Sequence, residues 1–144
     1  MFRTLDPNFL ASPQIAPADV AHAKDLGVRA IINNRPDGEE PGAPQGADIE
    51  AAAREAGLGY AYIPVGHSGF SAAQLDALDH AMAEAGGPVL AYCRSGTRST
   101  FLWALAQARA GNAPERIATQ AATAGYDVGP VRAMMDALAG QASS

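Results

Sequence analysis

The run Cys93-Arg94-Ser95-Gly96-Thr97-Arg98-Ser99 constrains the fold of this chain more than any other segment. It follows an apolar stretch, Pro88-Val89-Leu90-Ala91-Tyr92, and precedes Phe101-Leu102-Trp103-Ala104-Leu105-Ala106, which carries a helical pattern. A strand therefore ends on the cysteine and a helix begins where the loop ends. At such a junction the N–H groups of a tight loop and the positive end of a helix converge on one point, an anion cradle. A cysteine placed there is expected as a thiolate at neutral pH. The ordinary reading of a lone cysteine is a small buried hydrophobe. Here Gly96, two flanking arginines and the strand and helix on either side reverse it, and the run points to cysteine-dependent enzyme chemistry on an oxyanion or a sulfur atom.

The remaining pattern supplies the frame. Phe9–Ser12 reads as a short first strand, Pro17 as the first residue of a helix to Leu26 stopped by Gly27, and Val28–Asn33 as a buried strand. A turn-rich loop runs from Arg35 to Gly42, a helix from Ala47 to Ala56, and a strand from Tyr60 to Val65. Ser71 with Gln74 forms a capping box, after which Leu75, Leu78 and Met82 share one helical face up to Gly86-Gly87. The strand Val89–Tyr92 comes next, then helices to Ala110, from Pro114 to Ala124, and around Val131, Met134, Met135 and Leu138, with a frayed tail over 141–144. Strands alternate with helices only in the first hundred residues. This predicts an α/β fold with a mostly parallel central sheet, helices on both faces and a helical C-terminal portion. No repeat, linker or low-complexity segment divides residues 1–144, so one domain is expected.

Composition narrows the function. The chain is 48% hydrophobic and 17% charged, ordinary for a globular protein, and its net charge of −5 argues against nucleic-acid or anionic-membrane binding. No apolar run approaches a membrane span, and Met1–Pro7 lacks the apolar core of a signal peptide. The single cysteine allows neither an internal disulfide nor a resolving partner, which fits a reducing, cytoplasmic setting. His22, His67 and His80 are scattered, so neither a metal nor a cofactor is expected.

Within the loop, Cys93 is the expected nucleophile, and Arg98, always charged and planar, the main anion-binding group. The segment from Arg94 through Ser95, Gly96, Thr97 and Arg98 to Ser99 forms the cradle. Arg94 either lines it or points to solvent; Ser99 either donates to the thiolate or caps the helix. Asn33 and Asn34 are ambiguous, since an asparagine at a strand end is more often a turn former than a ligand.

These residues carry resemblances. Val89 to Ser99 resembles the active-site loop of rhodanese-type sulfurtransferases, in which four residues usually separate Cys from Arg, as they do between Cys93 and Arg98. Tyrosine and dual-specificity phosphatases have His-Cys, five residues, then Arg; here Tyr92 stands in place of the histidine. Rhodaneses return to a strand and a Gly-Gly turn after the loop helix, whereas this chain continues through helices around Ile117 and Met134, as dual-specificity phosphatases do. The combination resembles one family, the phosphatase-like DUF442 domain of beta-lactamase hydrolase-like (Blh) proteins. Its most specific pieces are Arg35-Pro36-Asp37-Gly38-Glu39, Tyr60 to Val65, the cysteine loop and Ala124-Gly125-Tyr126-Asp127. The resemblance implies a dual-specificity-phosphatase-like fold and either sulfur transfer or phosphatase activity. Related domains occur fused to a persulfide dioxygenase, so it also implies such an enzyme as a partner in trans.

The two chemistries differ in their need for a proton. A phosphatase expels an alkoxide or phenoxide and needs a general acid. The resemblance puts that acid, an Asp, in the loop after Val65, where this chain has Gly66-His67-Ser68-Gly69. His67 is either a proton donor or a substrate-orienting residue. Asp37 precedes Gly38 and reads first as a turn residue. Thiosulfate, by contrast, gives up its outer sulfur and releases sulfite, already a stable anion. The sequence reading is therefore a sulfurtransferase carrying a persulfide on Cys93, with Arg35, Asp37 and His67 at the rim and a small sulfur-containing anion or thiol as substrate. The alternatives are a phosphate monoesterase working through a phosphocysteine, and an oxyanion-binding or redox-sensing module.

Overall fold

A computed structural model describes residues 1–142. Five strands form one sheet: β1 (Arg3–Asp6), β2 (Phe9–Ser12), β3 (Ala30–Asn33), β4 (Gly59–Tyr62) and β5 (Val89–Tyr92). Six α-helices accompany them: α1 (Pro17–Asp25), α2 (Gly46–Glu55), α3 (Ala72–Ala85), α4 (Thr97–Arg109), α5 (Pro114–Thr123) and α6 (Arg132–Ala142). The sheet order is β1-β2-β5-β3-β4, parallel except for the antiparallel pair β1–β2. The expected fold class is thus observed. β1 is an addition to the expected strands, and the strands 28–33 and 60–65 are shorter than predicted, at Ala30–Asn33 and Gly59–Tyr62. In the expected frayed tail, 141 and 142 belong to α6, and 143–144 lie outside the described residues.

The period of two along the central strands sorts side chains to two faces. Val89 and Ala91 of β5, with Ala30 and Ile32 of β3, join the larger core cluster under α3 to α6. Leu90 and Tyr92, with Ile31, face the other way and pack with Val20 and Ala23 of α1 and Ile49 and Ala53 of α2. The connections β2–α1–β3 and β3–α2–β4 run one way across the sheet, and β4–α3–β5 returns. The opposite faces of α1/α2 and α3 are what right-handed crossovers require. The loops after β2, β3, β4 and β5 consequently meet at the carboxyl ends of the parallel strands, where sheets of this kind hold their ligands.

Helix α4 is the central prop. Leu102, Trp103, Ala104, Leu105 and Ala108 are buried along it, and the Trp103 Nε1–H donates to Asp6 Oδ2 at 2.8 Å, tying the helix to the edge strand β1. The Ser71–Gln74 capping box forms as predicted: Ser71 N donates to Gln74 Oε1 at 2.9 Å and Gln74 N to Ser71 Oγ at 3.4 Å. Among the described residues no helix is long and apolar enough to cross a membrane.

Candidate active site

Cys93 terminates the central strand β5 and is wholly buried. Its amide donates to Ser12 O at 3.3 Å, continuing the β2–β5 pairing past the last strand residue. The loop then turns back so that the Gly96 N–H donates to Cys93 Sγ at 3.1 Å. Gly96 makes this turn with φ of 91°, and a Cβ there would meet the Tyr126 hydroxyl and, at 3.3 Å, the Ser12 backbone. Only glycine combines that dihedral with that clearance. Gly96 is also the N-cap of α4, so the positive end of the helix begins at the cysteine loop.

Arg98 lies in this first turn. Its Nη1 donates to Glu39 Oε2 and to Val65 O, both at 2.7 Å, and its Nη2 donates to Glu39 Oε1 at 2.8 Å. Glu39 thus takes both terminal nitrogens of the guanidinium. Glu39 holds Arg98 firmly protonated, and Cys93 adds to this by facing the guanidinium. Glu39 is shared: its Oε1 also accepts from Arg35 Nε at 3.0 Å. The Arg98 guanidinium first, and Arg35 second, hold the Glu39 carboxyl down at about 2.

Several expected rim residues make contacts with the frame. Arg35 is 5% exposed, and its three nitrogens are taken by Glu39, by Gln14 Oε1 at 2.9 Å and by Glu40 Oε2 at 2.9 Å. Asp37 stands in a turn with Gly38, as its first reading has it, and its Oδ1 accepts from Gly46 N at 2.8 Å, tying the 35–45 loop to the start of α2. Ser99 Oγ donates its one proton to Asn34 Oδ1 at 2.8 Å rather than to the thiol, and the N-cap of α4 is Gly96, with Ser99 inside the helix. Arg94 is exposed; its carbonyl accepts from Gln14 N at 3.2 Å, and its side chain lies where its charge is felt by Glu40. Ser95 Oγ donates to Thr97 Oγ1 at 2.9 Å and accepts from Thr97 N at 3.3 Å, bracing the outer lip of the loop. His67 is exposed on the β4–α3 loop, two residues beyond the Val65 carbonyl that receives Arg98.

Asn33 proves to be the turn former: its Oδ1 accepts from Arg35 N at 2.8 Å. Asn34 is something else. Fully buried, it receives Ser99, donates Nδ2–H to Ile63 O at 2.9 Å, and its backbone bonds to Tyr92 O at 2.8 Å and from Val65 N at 2.9 Å. One residue therefore fastens the ends of β3, β4 and β5 to α4. Tyr92, at the position of the phosphatase histidine, belongs to the α1/α2 core, and burial pushes its phenol far up.

Sequence reasoning did not pick out Glu39, Gln14, Asn34 as a hub, or Tyr126. Tyr126 Oη donates to Ser95 O at 3.2 Å from the segment following α5. A signal existed for two of them, since Glu39 and Tyr126 both fall in family-like motifs.

Comparison with known proteins agrees with the fold. A family model described as "Beta-lactamase hydrolase-like protein, phosphatase-like domain" matches residues 1–110. A beta-lactamase hydrolase-like protein of Agrobacterium fabrum is 44% identical over 91 residues, which cover 63% of this chain and 21% of that protein. The matched region thus spans about one fifth of that relative's length. Among solved structures, a candidate phosphatase from Neisseria meningitidis Z2491 superposes with a TM-score of 0.83 at 34% identity, covering 94% of this chain and 96% of its own. P. aeruginosa TpbA bound to pTyr superposes with a TM-score of 0.68 at 16% identity, covering 99% and 90%, a likeness of fold alone. By its sequence match over residues 1–110 and by its phosphatase-like architecture, the chain belongs to the family of beta-lactamase hydrolase-like protein phosphatase-like domains.

Proposed function

We propose that this phosphatase-like domain is a sulfurtransferase that carries sulfur as a persulfide on Cys93. The Cys93 thiolate attacks the outer sulfur of a thiosulfate-like donor; the S–S bond breaks and sulfite leaves with the bonding electrons. A thiolate or cyanide acceptor then attacks the terminal sulfur of the Cys93 persulfide, forming its own sulfur bond as the S–S bond breaks and the Cys93 thiolate leaves with the bonding electrons. Neither step needs a proton from a side chain of the protein. The Gly96 N–H and the Arg98 guanidinium offset the charge on sulfur throughout.

The observation that supports this reading is the commitment of the carboxylate that meets the loop. Glu39 is clamped by two arginines at about 2, far too acidic to hold a proton at neutral pH. An alkoxide leaving group needs a proton from such a residue; sulfite does not.

A second reading, hydrolysis of phosphate monoesters through a phosphocysteine, has the comparisons on its side, since the Neisseria relative is named as a candidate phosphatase. The proton would then have to come from His67.

Two parallel assays separate them: thiosulfate-to-cyanide sulfur transfer and hydrolysis of an aryl phosphate, each with wild type and Cys93→Ser. The expected result is transfer by wild type only, together with a mass gain of one sulfur on Cys93 after thiosulfate treatment. Background-level transfer with Cys93-dependent phosphate hydrolysis would replace the first reading by the second. Anion binding that survives Cys93→Ser, with turnover in neither assay, would leave a binding module.

A further inference from the structure

The motif Ala124-Gly125-Tyr126-Asp127 lies outside the cysteine loop and takes no part in either transfer step. Its geometry is elaborate for a surface turn. Gly125 has φ of 96° and closes the end of α5, while Tyr126 N donates back to Ala121 O at 2.9 Å. Arg3 of β1 reaches across and donates from Nη1 to Ala124 O at 3.1 Å. A Cβ at Gly125 would sit 2.8 Å from that same Arg3 nitrogen. On the far side, Asp127 Oδ1 accepts from Gly129 N at 2.8 Å. The half-buried Tyr126 ring is thereby held over Gly96, and its hydroxyl donates to Ser95 O.

The Ser95 carbonyl and the Gly96 N–H belong to one peptide unit. The described chain has no cis peptide, so the two groups point in opposite directions from a common plane. One end of this peptide receives the Tyr126 hydroxyl at 3.2 Å; the other donates to Cys93 Sγ at 3.1 Å. A donor on the carbonyl oxygen draws electron density toward it and makes the N–H at the other end a better donor. It also fixes the plane, so that the N–H stays aimed at sulfur.

We propose that Tyr126 is a positioning residue for the nucleophile, acting on Cys93 through the Ser95–Gly96 peptide. This rests on Cys93 being the nucleophile and is indifferent to whether sulfur or phosphate is transferred. The groups that face Cys93 Sγ are Arg98 from α4, backed by Glu39 from the β3–α2 loop, and Tyr126, itself flanked by Arg3 from β1. Of these only Tyr126 can be deprived of its contact with the loop without changing a charge.

The test is the pH profile of Cys93 alkylation by iodoacetamide, measured on wild type, Tyr126→Phe and Tyr126→Leu beside thermal melts of each. Cys93 is the only cysteine, so the label reports on it alone. Tyr126→Phe keeps the ring over Gly96 and removes the hydroxyl. Its profile is expected to move about half a pH unit higher, roughly a threefold loss of reactive thiolate below the midpoint, with the melt nearly unchanged. Tyr126→Leu is expected to show the same displacement and a lower melting temperature. A wild-type profile for Tyr126→Phe overturns the proposal. So does a displacement seen only with Tyr126→Leu, since that would make ring packing the cause. These readouts need no turnover, so they stand or fall separately from the choice between sulfur and phosphate.

Discussion

Glu39 performs no bond-making step, yet it decides where the charge nearest Cys93 sits. Its two oxygens take the end of the Arg98 guanidinium while Arg35 holds it from behind. Without it, Arg98 keeps the Val65 carbonyl as its anchor and is free to swing outward. Glu39→Gln retains the size and one acceptor but loses the charge, and charge-assisted hydrogen bonds are the strong ones. The expected cost is about tenfold in kcat/KM, carried mainly by KM, in whichever of the two assays is active. The same residue gives a pH signature in stability. Because its folded carboxyl titrates at about 2, below the ordinary value of 4.5, its contribution is present above about 4.5 and is lost as pH falls toward 2. Urea unfolding at pH 7 and pH 3 should therefore show a larger loss of stability on acidification for wild type than for Glu39→Gln. Equal losses would mean that the clamp contributes nothing to the fold.

At the scale of elements, the joint between β5 and α4 is the part on which both fold and chemistry turn. Gly96 has a positive φ there and lies against Tyr126 and the Ser12 backbone. Gly96→Ala adds a conformational cost of about 1–2 kcal/mol and a Cβ with no room. A loss of about 2–5 kcal/mol in urea unfolding is expected, since overpacking of a tight site costs roughly a further 1–3; a change below about 1 kcal/mol would show that the loop yields easily. This joint was legible in the sequence because its signals are local: an apolar run, a glycine, a helical pattern. β1 was not, because Arg3-Thr4-Leu5-Asp6 is a four-residue edge strand with one apolar side chain, and its partner is defined by pairing with β2. The strand ends at 28–29 and 63–65 fall short of the apolar pattern for a related reason. Val28, Ile63 and Val65 are buried, but they lie in the connections rather than in the ladder. The site was half legible. Cys93, Gly96 and Arg98 lie within six residues, whereas Asn34 meets Ser99 across 65 positions, Glu39 meets Arg98 across 59, and Tyr126 meets Ser95 across 31. No spacing rule reaches that far. The partner of Ser99 was not legible, because polarity near a site says nothing of which backbone or side chain will claim the group.

For the whole molecule, the family match ends at residue 110, but the physics of the core does not. The face of the sheet opposite α1 and α2 is covered by α4, and α4 is in turn covered by the C-terminal helices. Ile117 and Ala121 of α5, Val131 in the turn before α6, and Met135 of α6 are buried in the same cluster as Phe9, Leu102, Trp103 and Leu105. Cutting after Ala110 removes those partners and opens the buried side of α4 to water. Large apolar side chains contribute about 1.5–3 kcal/mol each when fully buried, and a domain of this size has only about 5–15 kcal/mol to lose. Three such side chains, Ile117, Val131 and Met135, already reach that range before the newly exposed surface of Trp103 and Leu105 is counted. The cut also removes Tyr126 from the cysteine loop and leaves Arg3 without the Ala124 carbonyl that it holds. The fragment 1–110 is therefore expected to lack a cooperative urea transition and a native near-ultraviolet circular dichroism signal from Trp103, and to bind ANS. A sigmoidal transition with a native Trp103 signal would show instead that the sheet, α1, α2 and α3 fold without the helical portion. The C-terminal helices would then be a platform for Tyr126 alone.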